Sequence, residues 1–344
     1  MKANEKPRST GRFFHGKGVL SGVLSRIPRG LNLPSVGLMM VAVVFPAAMG
    51  GVPFADPSEV EISPLPVVLP EEAAFPDLPA EGQARVNYWV RRFTTDQKGT
   101  FELFLTQETV FGDLIREKLA ARDMPERLLY LAMIESGLRP RATSRVEAAG
   151  VWQFMGPTAE AYGLRVDQWV DERRDPVRAT DAALDYLQWL HEQYDSWYLA
   201  AAAYNAGPTR INRLLKQIGW DGEDGDALYW EIRDLLPKET REYVPRMLAA
   251  AFLARGDHEH DFQQVTQKDA YSFDRVWVPG GTALHEVADR LGVDRKVVWA
   301  LNPHLTQGRT PPGEAYPLRV PDGSAFQVVA TLGGRPWSPR LVDD

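Results

Sequence analysis

Cysteine is absent from all 344 residues of the chain. Its absence excludes disulfides, a thiol nucleophile, cysteine-ligated zinc, iron–sulfur clusters and cysteine-linked lipid anchors, but it does not identify the compartment. A histidine metal site is not expected either, because His258 and His260 lie in a polar segment without a third ligand at suitable spacing. The sequence also lacks a phosphate-cradling glycine-rich loop and a dinucleotide fingerprint.

Positive charge is scarce beyond the first fifty residues. The whole chain has 39 Lys and Arg against 46 Asp and Glu, which gives a formal net charge of −7. Residues 1–50 hold seven of the basic residues and only Glu5 as an acid, so the remainder carries −13. Such an acidic chain is a poor partner for the phosphates of duplex DNA, and we expect no nucleic-acid partner.

A long hydrophobic run occurs near the N-terminus, from Val36 to Met49. It follows a basic segment and precedes small residues, a layout typical of a secretory signal that predicts export to the periplasm or cell envelope. The run is short for a bilayer-spanning helix of about 20 residues, and Pro46 would kink one. The long basic segment nevertheless keeps an uncleaved membrane anchor open, and a buried core helix is a third alternative.

Changes in composition divide the chain, whose length favours two domains. A proline-rich acidic linker precedes a region where apolar residues recur at three- and four-residue spacing, which predicts a helical domain. A polar linker then leads to a strand, helix, helix, strand pattern. The predicted boundaries are 1–55 (signal or anchor), 56–80 (linker), 81–255 (helical domain), 256–270 (polar linker), 271–323 (small α+β module) and 324–344 (C-terminal tail).

Glu135 lies at the end of an apolar helix predicted over Met124–Ser136. Counting back by three, four and seven residues gives Ala132, Leu131 and Leu128, so its side chain emerges from the apolar face. Desolvation and the negative end of the helix dipole both raise the pKa of a carboxyl group at this place, which suits a general acid. The alternative from helix geometry alone is an ordinary helix-end glutamate that points into solvent.

Glu135 belongs to the first of four short sequence blocks that follow one another along the chain. The blocks are Glu135-Ser136, Gly150-Val151-Trp152-Gln153, Ala203-Tyr204-Asn205-Ala206-Gly207 and Glu239-Thr240-Arg241-Glu242-Tyr243-Val244. Together they resemble the soluble lytic transglycosylase domain of peptidoglycan-cleaving enzymes, specifically the membrane-bound lytic murein transglycosylase D type, over roughly residues 85–255. The resemblance implies a mainly α, lysozyme-like (goose-type) catalytic domain.

The resemblance also implies a role for each block. Glu135 would be the single catalytic acid and base. The implied substrate-binding residues are Ser136, Gln153, Tyr204, Asn205, Glu239 and Tyr243. Alternatives stay open at several positions, because Ser136 could merely cap the helix and Tyr204 could be a buried structural tyrosine. Trp152 could be either a sugar platform or ordinary core, and Glu239 could instead form a surface ion pair.

The reaction implied by the resemblance is cleavage of the β-1,4 bond between N-acetylmuramic acid and N-acetylglucosamine, with a 1,6-anhydro product. It needs no cofactor, and its expected partner is the peptidoglycan glycan strand. A hydrolytic muramidase of the same fold would need a second carboxylate, for which Glu147, Asp167 and Asp171 are candidates. A catalytically silent glycan-binding scaffold is the alternative from a different class.

The C-terminal module resembles a LysM-type glycan-binding module. Leu301-Asn302-Pro303 fits the end of its second helix, but the following loop resembles the divergent modules attached to D-type transglycosylases. Binding of N-acetylglucosamine chains is therefore one hypothesis, and a purely structural appendage is the other. Trp299 on the second helix is expected in the core.

Overall fold

The computed structural model of the chain describes residues 78–220, 222, 225–256 and 262–336. The predicted signal or anchor at 1–55 lies outside these residues, as do most of the linker at 56–80 and the pair His258 and His260. Within the described ranges, the helices are all too short or too polar to cross a membrane. The same ranges contain no cluster of three or more histidines and carboxylates arranged for a metal ion.

Helices dominate the chain from residue 80 to residue 254. They are α1 (Ala80–Thr94), α2 (Lys98–Ala120), α3 (Leu129–Ser136), α4 (Gly156–Ala161), α5 (Pro176–Tyr194), α6 (Trp197–Ala206), α7 (Pro208–Ile218), α8 (Gly225–Ile232) and α9 (Lys238–Ala254). Single turns of 3-10 helix at Glu126–Leu128, Glu172–Arg174 and Arg233–Leu235 tighten three of the connections. The expected mainly helical fold class is confirmed.

Local sequence signals set the ends of these helices. Asp175 caps α5 by accepting hydrogen bonds from two backbone N–H groups of the first turn, and Pro176 occupies the first helical position. Helix α3 ends at Gly137, whose φ is 63°. A Cβ at this glycine would lie 2.5 Å from the ring of Phe104, so both the backbone conformation and the close packing require glycine here.

Helix α3 is the centre of the helical domain, since all eight of its residues are buried. It packs against α2 on one side and α9 on another, and α9 also packs against α1 and α6. A helix that is apolar on every side is stable only when other helices surround it. This burial carries the last turn of α3, with Glu135, into the interior.

The C-terminal module follows residue 270 and combines a small sheet with short helices. Its elements are β1 (Asp274–Val278), α10 (Leu284–Leu291), α11 (Arg295–Leu301), β2 (Tyr316–Val320), α12 (Ala325–Leu332) and β3 (Arg335–Pro336). Strand β1 is central and pairs antiparallel with both β2 and β3. The segment expected as a tail therefore contributes a helix and a strand to the module, and Val328 of α12 lies in its core.

Part of the helical domain completes this module. The loop before Glu172 forms a β-bridge between Val170 and Leu305, and the side chain of Val170 is buried within the apolar core of the module. The backbone N–H of Asp171 donates to the carbonyl of His304 at 2.9 Å. The two parts thus share backbone hydrogen bonds and core packing.

A buried ion pair joins the two parts. Arg319 of β2 donates to both carboxylate oxygens of Asp175, the cap of α5, at 2.8 and 2.6 Å. The two residues are only 5% and 3% exposed. Burial by itself would raise the pKa of Asp175, but the charges of Arg319 and His304 and the hydrogen bonds to the carboxylate together outweigh burial, and the pKa is lowered. Tyr271 also accepts a hydrogen bond from the guanidinium at 3.1 Å, so Arg319 is well satisfied.

Removing one member of this pair should be costly. We expect Arg319→Met to lower the free energy of unfolding by about 3–5 kcal/mol, because it leaves Asp175 as a buried charge that has lost its arginine partner. Urea denaturation at pH 7, followed by circular dichroism, measures the loss. The double variant Asp175→Asn/Arg319→Met is the control and should lose less, since asparagine keeps the helix cap without the charge. An equal or larger loss in the double variant would contradict this account.

Candidate active site

The Glu135 carboxyl group lies in a nearly closed environment at the end of α3, where 7% of the residue is exposed. Tyr243 of α9 donates a hydrogen bond from its hydroxyl to Oε1 at 2.5 Å. Burial raises the pKa of Glu135 to about 7, although the Tyr243 bond and the charge of Arg246 act in the opposite direction. The negative charge of Glu239 adds to the rise. A carboxyl group with a pKa of about 7 can give up a proton and take it back near neutral pH, as a group that acts first as acid and then as base must do.

Helix α9 supplies the charged surroundings of this carboxyl group. Glu239, Tyr243 and Arg246 are four and three residues apart and so share one face of the helix. Partial desolvation raises the pKa of Glu239, and the charge of Arg246 opposes that rise. Sequence reasoning missed Arg246, although its spacing from Tyr243 was a signal that could have found it. Its guanidinium carbon lies 5.4 Å from the centroid of the Trp89 ring on α1.

The Tyr204 hydroxyl is buried near Glu135, and its proton is engaged in a hydrogen bond within the protein. It donates to the backbone carbonyl of Trp152 at 2.8 Å, and the residue is fully buried. Burial raises the pKa of Tyr204, and the charge of Glu135 raises it further, which places the two groups within electrostatic range. This contact corresponds to the structural alternative for Tyr204, and it leaves the hydroxyl oxygen only as an acceptor.

Asn205, the next residue, has one satisfied and one unsatisfied polar atom. Its Oδ1 accepts a hydrogen bond from the Thr240 hydroxyl at 2.8 Å. Its Nδ2 is buried and has no hydrogen-bond partner among the described residues. An unpaired buried donor is costly, so this amide is poised to donate to an acceptor that enters the site.

Ser136 connects the end of α3 to the loop that contains Gly150. Its hydroxyl donates to the carbonyl of Val151 at 2.7 Å and accepts from the Arg139 backbone N–H at 3.2 Å. Gly150 has φ 84°, and a Cβ there would overlap the carbonyl oxygen of Arg173. The hydroxyl thus positions the helix end and the loop relative to each other.

The side chains of Gln153 and Trp152 both form hydrogen bonds within the protein that hold this loop in place. The Gln153 side-chain amide donates to the carbonyl of Gly150 at 2.8 Å, which leaves its Oε1 as the atom able to accept from a substrate. Trp152 is fully buried, and its Nε1 donates to the hydroxyl of Thr180 at 2.9 Å. Trp152 is therefore a core residue and not a sugar platform.

Of the three carboxylates considered as partners for Glu135, two are engaged elsewhere and the third, Glu147, is exposed. Asp171 is held by two arginines, at 2.8 and 3.1 Å. Asp167 accepts from two backbone N–H groups of its own turn, and Glu147 is exposed with φ 64°. The carboxylate whose charge acts on Glu135 is Glu239 instead.

Helix α9 is fixed in place by Glu242, the residue before Tyr243. Its carboxylate accepts from the Trp89 indole at 2.8 Å and forms ion pairs with Arg85 at 2.7 Å and Arg233 at 3.0 Å. Two of these partners, Arg85 and Trp89, belong to α1, so α1 holds the helix that carries Tyr243.

Two family models match this chain. The model described as "Transglycosylase SLT domain" matches residues 113–225. The chain contains a transglycosylase SLT domain. The model described as "Lytic transglycosylase MltD, LysM-like domain" matches residues 272–333 and identifies the C-terminal module. Helix α1 and helix α9, with Tyr243 and Arg246, lie outside the SLT match.

Individual relatives are similar over part of their length. The chain is 34% identical over 180 residues to the membrane-bound lytic murein transglycosylase D of Escherichia coli, which covers 52% of this chain and 39% of that protein. It is 28% identical over 145 residues to the soluble lytic murein transglycosylase of Salmonella typhimurium, covering 40% and 22%. The crystal structure of the 70 kDa soluble lytic transglycosylase from Escherichia coli has a TM-score of 0.37 and 20% identity, covering 54% of this chain and 32% of that one.

Substituting Glu135 in the SLT domain should stabilise the protein at alkaline pH. The native pKa of about 7 lies above the ordinary 4.5, so ionising Glu135 costs folding free energy that is absent below pH 4.5 and grows as pH rises to 7. Glu135→Gln should therefore gain up to about 3 kcal/mol relative to the wild type at pH 8. Urea denaturation between pH 4 and pH 8 measures the difference.

The same change at Glu117, an exposed position of α2, is the matched control. A difference between Glu135→Gln and wild type that stays flat over this pH range would contradict the raised pKa.

Proposed function

We propose that this protein is a peptidoglycan lytic transglycosylase that cleaves the β-1,4 bond between N-acetylmuramic acid and N-acetylglucosamine. The observation that carries the proposal is the buried Glu135, whose pKa is raised to about 7 and which accepts a hydrogen bond from Tyr243. The match of residues 113–225 to the SLT domain supports it. The chain spans 39% of the length of the Escherichia coli membrane-bound relative.

The first chemical step is proton transfer from Glu135. The protonated carboxyl group donates to the glycosidic oxygen as the bond from that oxygen to the muramic anomeric carbon breaks. N-acetylglucosamine leaves with a free 4-hydroxyl group. The developing positive charge at the anomeric carbon is shared with the N-acetyl group of the same sugar.

The second step returns the proton. The Glu135 carboxylate accepts the proton of the muramic C6 hydroxyl while that oxygen bonds to the anomeric carbon. The product is a 1,6-anhydro end, water is not consumed, and Glu135 is again protonated. The hydrogen bond from Tyr243 stabilises the ionised carboxylate between the two steps, because it lowers the pKa of Glu135.

Substrate contacts follow from the atoms left available around Glu135. The unpaired Nδ2 of Asn205 is suited to donate to an acetamido carbonyl. Glu239 and Tyr243 lie on the face of α9 toward the acid and would contact the sugar. Ser136 and Gln153 would act mainly by holding the loop after α3, as their hydrogen bonds to its carbonyls indicate.

A peptidoglycan partner also implies where in the cell the protein acts. The SLT and LysM-like matches support a place in the cell envelope, where this substrate lies. The apolar run at 36–49 would then serve as an export signal or as a membrane anchor.

A hydrolytic muramidase is the second candidate, and one observation favours it. The charge of Glu239 acts on Glu135, so this carboxylate is close enough to be considered as the base that activates water. Glu239 replaces the three carboxylates that the sequence had suggested for this role.

The products separate these candidates. Incubation of purified protein with sacculi should release muropeptides with anhydro ends, lighter by one water (about 18 Da) than hydrolysed ones, because no water is added to the bond. Mass spectrometry of the products measures this. Glu135→Gln should release none, and reducing-end products from the wild type would favour the muramidase.

Substitution of Glu239 gives a second test. If Glu135 acts alone, Glu239→Gln keeps the reaction, and the alkaline limb of its pH profile moves to lower pH, because a charge that raised the pKa of Glu135 is gone. Initial rates between pH 5 and pH 9 measure the limb. Loss of about 10²-fold or more at every pH would instead assign Glu239 as the base.

A further inference from the structure

A cleft of about 580 Å³ lies where the loop after α3 meets helices α10 and α11. The residues that line it are Arg141, His285, Arg295, Lys296, Trp299 and Ala300. Three of these residues, Arg141, Arg295 and Lys296, are positively charged at neutral pH. The chain as a whole has a net charge of −7. The SLT domain contributes Arg141, and the LysM-like domain contributes the rest.

Arg141 is held in a defined position within the cleft. Its guanidinium donates to the carbonyl of Trp299 at 3.1 Å and lies 5.3 Å from the centroid of the Trp299 ring. The backbone carbonyl of Arg141 accepts from Arg174 at 3.1 Å, which fixes the loop itself. A guanidinium placed over an indole in this way is ready to bind a planar anion such as a carboxylate.

Trp299, expected in the core, is instead 38% exposed. Its ring rests on Gly308, where a Cβ would lie 2.7 Å from a ring carbon. The glycine therefore allows the indole to lie close to the backbone while part of the ring remains open to the cleft. Such a ring offers an apolar surface beside charged groups.

The charges of the cleft are only partly neutralised. Arg295 pairs with Asp289 at 2.9 Å, so its charge is compensated. Lys296 is exposed, and its backbone N–H, not its ammonium group, is bonded to Asp294. Arg141 of the SLT domain and Lys296 of the LysM-like domain thus remain as the cations of the cleft that are not neutralised by a carboxylate in the described structure.

We propose that this cleft binds the acidic stem peptide of a peptidoglycan strand, an inference that rests on the proposed function. Stem-peptide carboxylates would pair with Arg141 and Lys296, and alanine methyl groups would lie on Trp299. A volume of about 580 Å³ holds several amino-acid residues, which favours a peptide over the single lactyl carboxylate of a bare muramic acid.

The place of the cleft in the chain connects it to catalysis. Arg141 follows Glu135 by six residues, and the ion pair between Asp175 and Arg319 holds the LysM-like domain against the SLT domain. A strand held by its stem peptide in this cleft would be retained during cleavage. The cleft thus makes peptide-bearing strands better substrates than bare ones.

The test measures binding with the full chain carrying Glu135→Gln, so that the ligand is not degraded. Three insoluble ligands are compared: intact sacculi, sacculi whose stem peptides have been removed by an amidase, and chitin. Lys296→Gln and Trp299→Leu should each weaken binding to intact sacculi roughly tenfold and leave binding to the other two unchanged. An equal loss on peptide-free sacculi, or no loss on intact sacculi, would overturn the proposal.

The matched controls replace an exposed lysine and an exposed aromatic residue that lie outside the cleft. Lys216→Gln removes an exposed lysine of α7, and Phe326→Ala removes an exposed aromatic of α12, and neither lines the cleft. Both should bind intact sacculi as the parent does. Circular dichroism checks the fold of Trp299→Leu, and Lys296→Gln, at an exposed position, keeps the test decisive if that variant unfolds.

A kinetic measurement separates this proposal from the proposed function. With Glu135 intact, Lys296→Gln should raise KM for peptide-bearing strands roughly tenfold without changing kcat or the anhydro products. Absence of anhydro products from the wild type would overturn the proposed function alone. Failure of the binding comparison would overturn the peptide site alone.

Discussion

The removal of one carboxyl group from water is the constraint on which the candidate active site depends. Helix α3 is buried along its whole length, and its last turn carries Glu135 into the interior. Desolvation there outweighs both the hydrogen bond from Tyr243 and the charge of Arg246, so the pKa rises to about 7. A site built in this way needs a rigid surround, because a small opening to water would return the pKa toward its ordinary value.

That surround comes from segments far apart in the chain. Helix α9 brings Tyr243 and Arg246 to the acid, and Glu242 on the same helix binds Arg85 and the Trp89 indole of α1. Both helices lie outside the part of the chain that matches the SLT domain. The geometry around Glu135 therefore depends on flanking helices as well as on the matched domain, and α1 acts on the site through α9.

The LysM-like domain is joined to the SLT domain by core packing and a buried ion pair. Val170 enters the core of the LysM-like domain, and Asp175 binds Arg319 with both oxygens. Because the charges are buried, each depends on the other, and the ion pair couples the stability of the two domains. The basic cleft beside Arg141 is a consequence of that junction, since neither domain supplies all of its lining.

The sequence by itself determined the local features of this protein: the helix that ends at Gly137, Glu135 on its apolar face, and the strands near residues 276 and 316. These follow from periodicity and helix-end signals, which act over a few residues. Only the tertiary structure decided that Tyr243 binds Glu135 across 108 residues, that Tyr204 donates to the Trp152 carbonyl, and that residues 325–336 complete the C-terminal module with a helix and a strand. Such contacts depend on which helices pack together, and local patterns do not encode that choice.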